Sequence, residues 1–97
     1  MKTLKNHKTL KAIRRGCAGQ GINVELIKRK GSGSHRGVAF SRDGARRGVV
    51  IVIAGGDEIS PGVQRRVLDD LLRRSEKNPL AGDVHRILER IFRSGGR

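Results

Sequence analysis

The sequence predicts an α+β fold: a three-stranded antiparallel meander with helices before and after it. Three observations predict it. A helical apolar stripe near the N-terminus gives way to two alternating runs and one β-branched run. Too few residues separate these runs for crossover helices, so the strands must pair antiparallel. Two amphipathic stretches with helix-start chemistry then follow. At 97 residues the chain holds one domain, residues 1–97, with a thin core.

The first helix is expected over 6–18. Leu10, Ile13 and Cys17 recur on one stripe, while Lys8, Lys11, Arg14 and Arg15 form the wet side. Asn6 or Thr3 can cap its start, and Gly19 and Gly21 end it. Cys17 sits on the apolar stripe and reads as a small buried hydrophobe, not a reactive thiol.

In 22–28, Ile22, Val24 and Leu26 alternate with Asn23 and Glu25, as in a half-buried strand. Lys28-Arg29-Lys30 and Gly31-Ser32-Gly33-Ser34 form a basic exit into a loop. From His35 to Arg42 the pattern alternates again, with Val38 and Phe40 pointing one way and His35, Gly37 and Ala39 the other. Asp43-Gly44 is a turn signal. The run Val49-Val50-Ile51-Val52-Ile53 is the strongest strand in the chain.

Ser60-Pro61 starts a helix: serine caps, and proline gives up an N–H that has no partner in the first turn. Val63, Val67, Leu68, Leu71 and Leu72 form its apolar face. Asn78-Pro79 breaks it, and Asp83 can cap a last helix over about 83–93, with Val84, Ile87, Leu88 and Ile91 on one side. His85 falls on the wet side, His7 frays with the N-terminus, and Ser94-Gly95-Gly96-Arg97 frays at the other end. One sheet face must pack under the helices, and the other is free to stay open.

Charge narrows the function. Lys and Arg number 22 against 9 acids, a net charge of +13. Residues 1–56 hold 13 basic and 2 acidic residues, a balance of +11; residues 57–97 hold 9 and 7, a balance of +2. A polyanion should therefore meet the first half. One cysteine excludes an internal disulfide and a Cys-cluster zinc site. His7 and His85 lack ligand spacing, so no metal or cofactor is expected. Without Trp or Tyr, and with Phe40 and Phe92 alone, an aromatic base-stacking platform is disfavoured. No apolar run is long enough to span a membrane, and the start lacks a signal peptide's apolar stretch. The expected location is the cytoplasm.

Gly31-Ser32-Gly33-Ser34-His35-Arg36 carries the most chemistry. Glycine N–H groups can line an anion pocket, Ser34 adds a hydroxyl, and Lys28, Lys30 and Arg36 add charge. His35 belongs on the open face if Val38 and Phe40 belong to the core. An imidazole of pKa about 6.5 can draw the proton from a ribose 2′-OH, which then attacks the adjacent phosphate; no metal is needed. The stretch is neither a P-loop nor a nucleophile elbow. The same basic face also suits a non-catalytic nucleic-acid-binding module or the docking of an acidic protein. A second acid or base is not identified: Lys28, Lys30, water or His35 itself can fill that role.

A short helix, a strand ending in basic residues and Gly33-Ser34-His35 opening the next strand resemble the HicA toxins of bacterial toxin–antitoxin pairs. The run Gly55-Gly56-Asp57-Glu58-Ile59-Ser60-Pro61-Gly62, continuing to Leu68, is similar to the family's C-terminal signature, and the likeness covers roughly 10–72. The chain departs from the family in the inserted Gly31-Ser32 and in Arg36-Gly37-Val38 after the histidine. The resemblance implies a double-stranded-RNA-binding-like α-β-β-β-α core over about 6–74; the last helix extends beyond it and is expected to complete the thin core rather than to contact a partner. It implies a metal-independent mRNA endoribonuclease, monomeric alone and inhibited by a HicB antitoxin. Its catalytic histidine carries over to His35, with Gly33 and Ser34 shaping the site. Lys28, Arg29, Lys30 and Arg36 become candidate phosphate contacts.

Overall fold

The computed structural model describes residues 1–28, 35–45, 47–54 and 56–96, and the side chains of Lys28, His35 and Ala54 are outside that description. The elements run β1 (Leu4–Lys5), α1 (Asn6–Ala18), β2 (Ile22–Lys28), β3 (His35–Arg42), β4 (Val49–Ala54), β5 (Glu58–Ile59), α2 (Pro61–Arg74) and α3 (Pro79–Arg93). The expected α+β architecture is present, with β2, β3 and β4 forming an antiparallel sheet in that order. Val24 lies opposite Phe40 and Val38 opposite Ile51, so the apolar positions of the three strands share one face. Ile22, Val38, Phe40, Val49, Ile51 and Ile53 are all buried there. Asp43-Gly44 forms the turn that the sequence signals, with Gly44 at φ +84°.

All three helices cover that face. α1 packs on β2, α2 on β4, and α3 touches both helices and β3. Gly16 suits this layering: a Cβ there would lie 3.0 Å from Ile87 Cγ2, tighter than ordinary contact, where α3 crosses α1. α3 completes the thin core, burying Leu80, Ala81, Val84, Ile87, Leu88, Ile91 and Phe92. Arg42 at the end of β3 meets Asp83 of α3 at 2.7 Å and ties sheet to helix. Among the described residues no helix is long and apolar enough to cross a membrane.

Several local expectations are corrected. Neither Asn6 nor Thr3 caps α1. The strand pairing of β1 with β5 runs up to Lys5, which is the extended residue before the helix, and a lysine ammonium has no acceptor with which to cap it. α3 starts at Pro79, not near Asp83. Asn78 is held extended before the proline, and its side-chain oxygen accepts from the Leu80 N–H. Leu72 is 56% exposed, because it lies at the margin of the α2 stripe that α3 does not reach. His85 is half-buried, and His7 is an exposed residue of the first turn of α1. The segment 94–96 is ordered by a Schellman motif. Gly95 at φ +80° turns the chain, its N–H donates to Phe92 O, and the Gly96 N–H donates to Ile91 O at 2.8 Å.

The strands β1 and β5, absent from the sequence reading, pair Leu4 with Ile59 and Lys5 with Glu58. Gln64, wholly buried on α2, secures this clasp: its Nε2 donates to Lys2 O at 2.6 Å and to Ile59 O at 3.1 Å. A polar residue interrupting the apolar stripe of α2 was the signal that this position serves a second segment.

Candidate nucleic-acid interface

His35 is the first residue of β3, and its backbone pairs with Ala54 at the end of β4. The neighbouring pair is Lys28 with Arg36, where β2 ends and β3 begins. The condition attached to His35 is met, since Val38 is 0% and Phe40 1% exposed. Arg29, Lys30, Gly33 and Ser34, like the rest of 29–34, lie outside the described residues.

Among the described residues, no helix covers the opposite face of the sheet. Asn23, Glu25, Ile27, Ser41 and Val50 are exposed on it, and Ala39 and Val52 are half-buried. Ile27 leans over Gly37, where a Cβ would lie 3.3 Å from its own. Among the described residues this face bears no Lys or Arg, and Glu25 is its titratable group. Glu25 pairs with Ala39, four residues along β3 from His35, or about 13 Å at the usual strand rise. It is too far away to share a proton with a group at His35. Among the described residues, then, the cations of the first half lie away from the open face: Lys8, Lys11, Arg14 and Arg15 are exposed on α1. Arg36 is exposed, yet its register with Ile53 gives it the parity of Val38 and Phe40. Consecutive strand residues alternate faces, so charge from Arg36 must reach the open face around the end of the sheet.

Besides β2, four more elements meet at that end. β3 begins there, β4 ends there, and α1 is pinned to it. The Asn6 backbone N–H donates to Asp57 O at 2.8 Å, and its Nδ2 donates to Gly56 O at 2.9 Å. α2 also starts at this end, with Ser60 Oγ accepting from the Val63 N–H. Lys5 and Lys8, both exposed, thus lie near the end of the sheet where His35 sits. The sequence places Lys8 only on a solvated helix side and does not show the pin. Asn6 at a helix start read as a cap, not as a donor to a distant carbonyl.

Other reactive groups are structural. Cys17 is buried, and burial pushes its thiol up to about 11, with nearby Arg42 offsetting part of the effect. Its hydrogen-bonded Arg42 holds the Asp83 carboxyl below the usual carboxylate range despite partial burial, with help from Arg86. Among the described residues no group of three His, Cys, Asp or Glu side chains is placed to hold a metal ion. Comparison of the chain with protein-family models, with curated proteins and with solved structures finds no match.

Proposed function

We propose that this chain is a HicA-like toxin, a metal-independent endoribonuclease of mRNA with His35 as general acid and base. The supporting observation is the two-faced sheet: Val38 and Phe40 are sealed under helices, while the face shared by Gly37 and Ala39 is bare of them. Strand alternation gives His35 the parity of that bare face. The α-β-β-β-α order within the fold also agrees with the family resemblance. In this reaction the imidazole takes the 2′-OH proton as the oxygen attacks phosphorus. The P–O5′ bond breaks, the leaving 5′-oxygen receives a proton, and a 2′,3′-cyclic phosphate remains. Lys28, Arg29, Lys30 and Arg36 hold phosphates beside it, and Gly33 and Ser34 shape the turn. The partners under this reading are RNA and an acidic HicB-like antitoxin, and the site of action is the cytoplasm.

The test is cleavage of single-stranded RNA in excess chelator. The native chain should yield cyclic-phosphate ends and leave a 2′-deoxy substrate intact, while His35→Ala should lose cleavage with an unchanged circular-dichroism spectrum. Full activity in that variant overturns the assignment. The second reading, binding without cleavage, draws on Lys8, Lys11, Arg14 and Arg15, four exposed cations of α1 with no acidic partner among the described residues. It predicts salt-sensitive binding of both RNA and DNA that is indifferent to His35.

A further inference from the structure

β4 is an edge strand, and its outer side faces a groove of about 820 Å³ beneath α2. Its residues, Val49-Val50-Ile51-Val52-Ile53-Ala54, include no proline, glycine or charge, the usual devices that blunt a sheet edge. The outward direction of its polar groups is visible at Val50, whose carbonyl accepts from Arg74 Nη1 at 3.0 Å across the groove. By antiparallel alternation Val52 also directs its N–H and C=O away from β3. Val50 is 45% exposed. The wall opposite is cationic on balance, with Arg65, Arg66, Arg73 and Arg74 set against Asp69 and Asp70. Asp70 engages Arg73 at 2.8 Å and Arg74 at 3.1 Å, whereas Arg65 and Arg66 are exposed and have no acidic partner among the described residues.

We infer that this edge is the docking strip for an extended acidic segment of a partner protein. The segment adds a fourth strand beside β4 and sets carboxylates against Arg65 and Arg66. Its backbone N–H takes the place of the Arg74 guanidinium at the Val50 carbonyl. A peptide fits the edge because β4 offers donors and acceptors in alternation; a phosphate chain supplies acceptors alone. A second copy of this chain is disfavoured, since its own edge would bring four more arginines to the same groove. The inference rests on the edge and its arginines, and it holds whether or not His35 cleaves RNA.

The test uses the full chain, labelled with ¹⁵N, and three probes. These are a six-residue peptide alternating valine and glutamate, the same peptide N-methylated along one edge, and a short single-stranded RNA. The acidic peptide should slow amide exchange at Val50 and Val52, and the methylated one should not bind. The double variant R65E/R66E should weaken the peptide about tenfold, as loss of two ion pairs implies. Equal binding of the methylated peptide reduces the effect to charge and overturns the inference. So does an absence of protection at both amides at millimolar peptide. Protection by the RNA, or by dimerisation of the chain alone in sedimentation, assigns the edge to a different occupant and overturns it too.

Discussion

Leu88 and Leu72 are the same residue in helices of similar length, yet the structure gives them opposite weight. Leu88 of α3 is 0% exposed and Leu72 of α2 is 56% exposed. Truncating a buried leucine to alanine removes its transfer free energy and leaves a cavity, together about 2–5 kcal/mol. A domain of this length has about 5–15 kcal/mol of total stability, so Leu88→Ala should remove a large share of it. At about 4–8 °C per kcal/mol, the melting temperature should fall by on the order of 10 °C or more. Leu72→Ala should stay within about 0.5 kcal/mol of the native chain. Urea denaturation followed by circular dichroism measures both. The Cys17 thiol supplies an independent reporter, because a buried group with its pKa pushed up to about 11 reacts with alkylating reagents only when the core opens. Labelling should accelerate strongly in Leu88→Ala and hardly at all in Leu72→Ala. Equal costs, or a loss under about 1 kcal/mol at Leu88, would refute the placement of α3 in the core.

Two further outcomes follow from single side chains. Gly96→Ala should destabilise more than Gly95→Ala in the same denaturation experiment: both sit at positive φ, but a Cβ at Gly96 meets Thr9 Oγ1 at 2.9 Å while Gly95 has nothing within 4 Å. Asp83 is held below its ordinary pKa by Arg42, so its contribution to stability is complete above the unfolded value of about 3.9 and is lost as pH falls through the folded value. Asp83→Asn should therefore lower the urea midpoint at pH 7 and converge with the native chain in strong acid; a gap that stays constant with pH would rule out the ion pair as its cause.

Local chemistry made much of the fold legible. The five β-branched residues 49–53 announced β4, and Ser60-Pro61 announced α2 to the residue, because each signal acts over one turn or one strand. The clasp of β1 and β5 was not legible. Two-residue strands have no periodicity to read, and their anchor joins Asn6 to Gly56 across fifty residues. Leu72 failed differently: a 3.6-residue stripe identifies an apolar side of α2 but not how far along it α3 extends. Alternation along β3 foresaw the burial of Val38 and Phe40. Counting charge by halves of the chain did not foresee that the described part of the open face would carry Glu25 and no cation, since that count has no faces.

The ion pairs explain how the charge asymmetry of the sequence persists in the fold. All five among the described residues involve Asp70, Asp83 or Glu89, acids of the last two helices, and four of the five join residues on one helix. The second half therefore neutralises much of its own charge locally. In the first half only Arg42 is paired among the described residues, which leaves the cations of α1 unopposed. Under the proposed nuclease reading, attraction and chemistry then reside on different elements. α1 supplies much of the long-range field on the helical side, and β3 supplies the imidazole. The Asn6 pin makes the two compatible, because it holds the basic start of α1 to Gly56 and Asp57, just beyond the strand residue that pairs with His35. Under the same reading, an RNA backbone drawn to Lys5 and Lys8 would meet the end of the sheet where His35 begins β3, and not its centre, where Glu25 stands opposite Ala39.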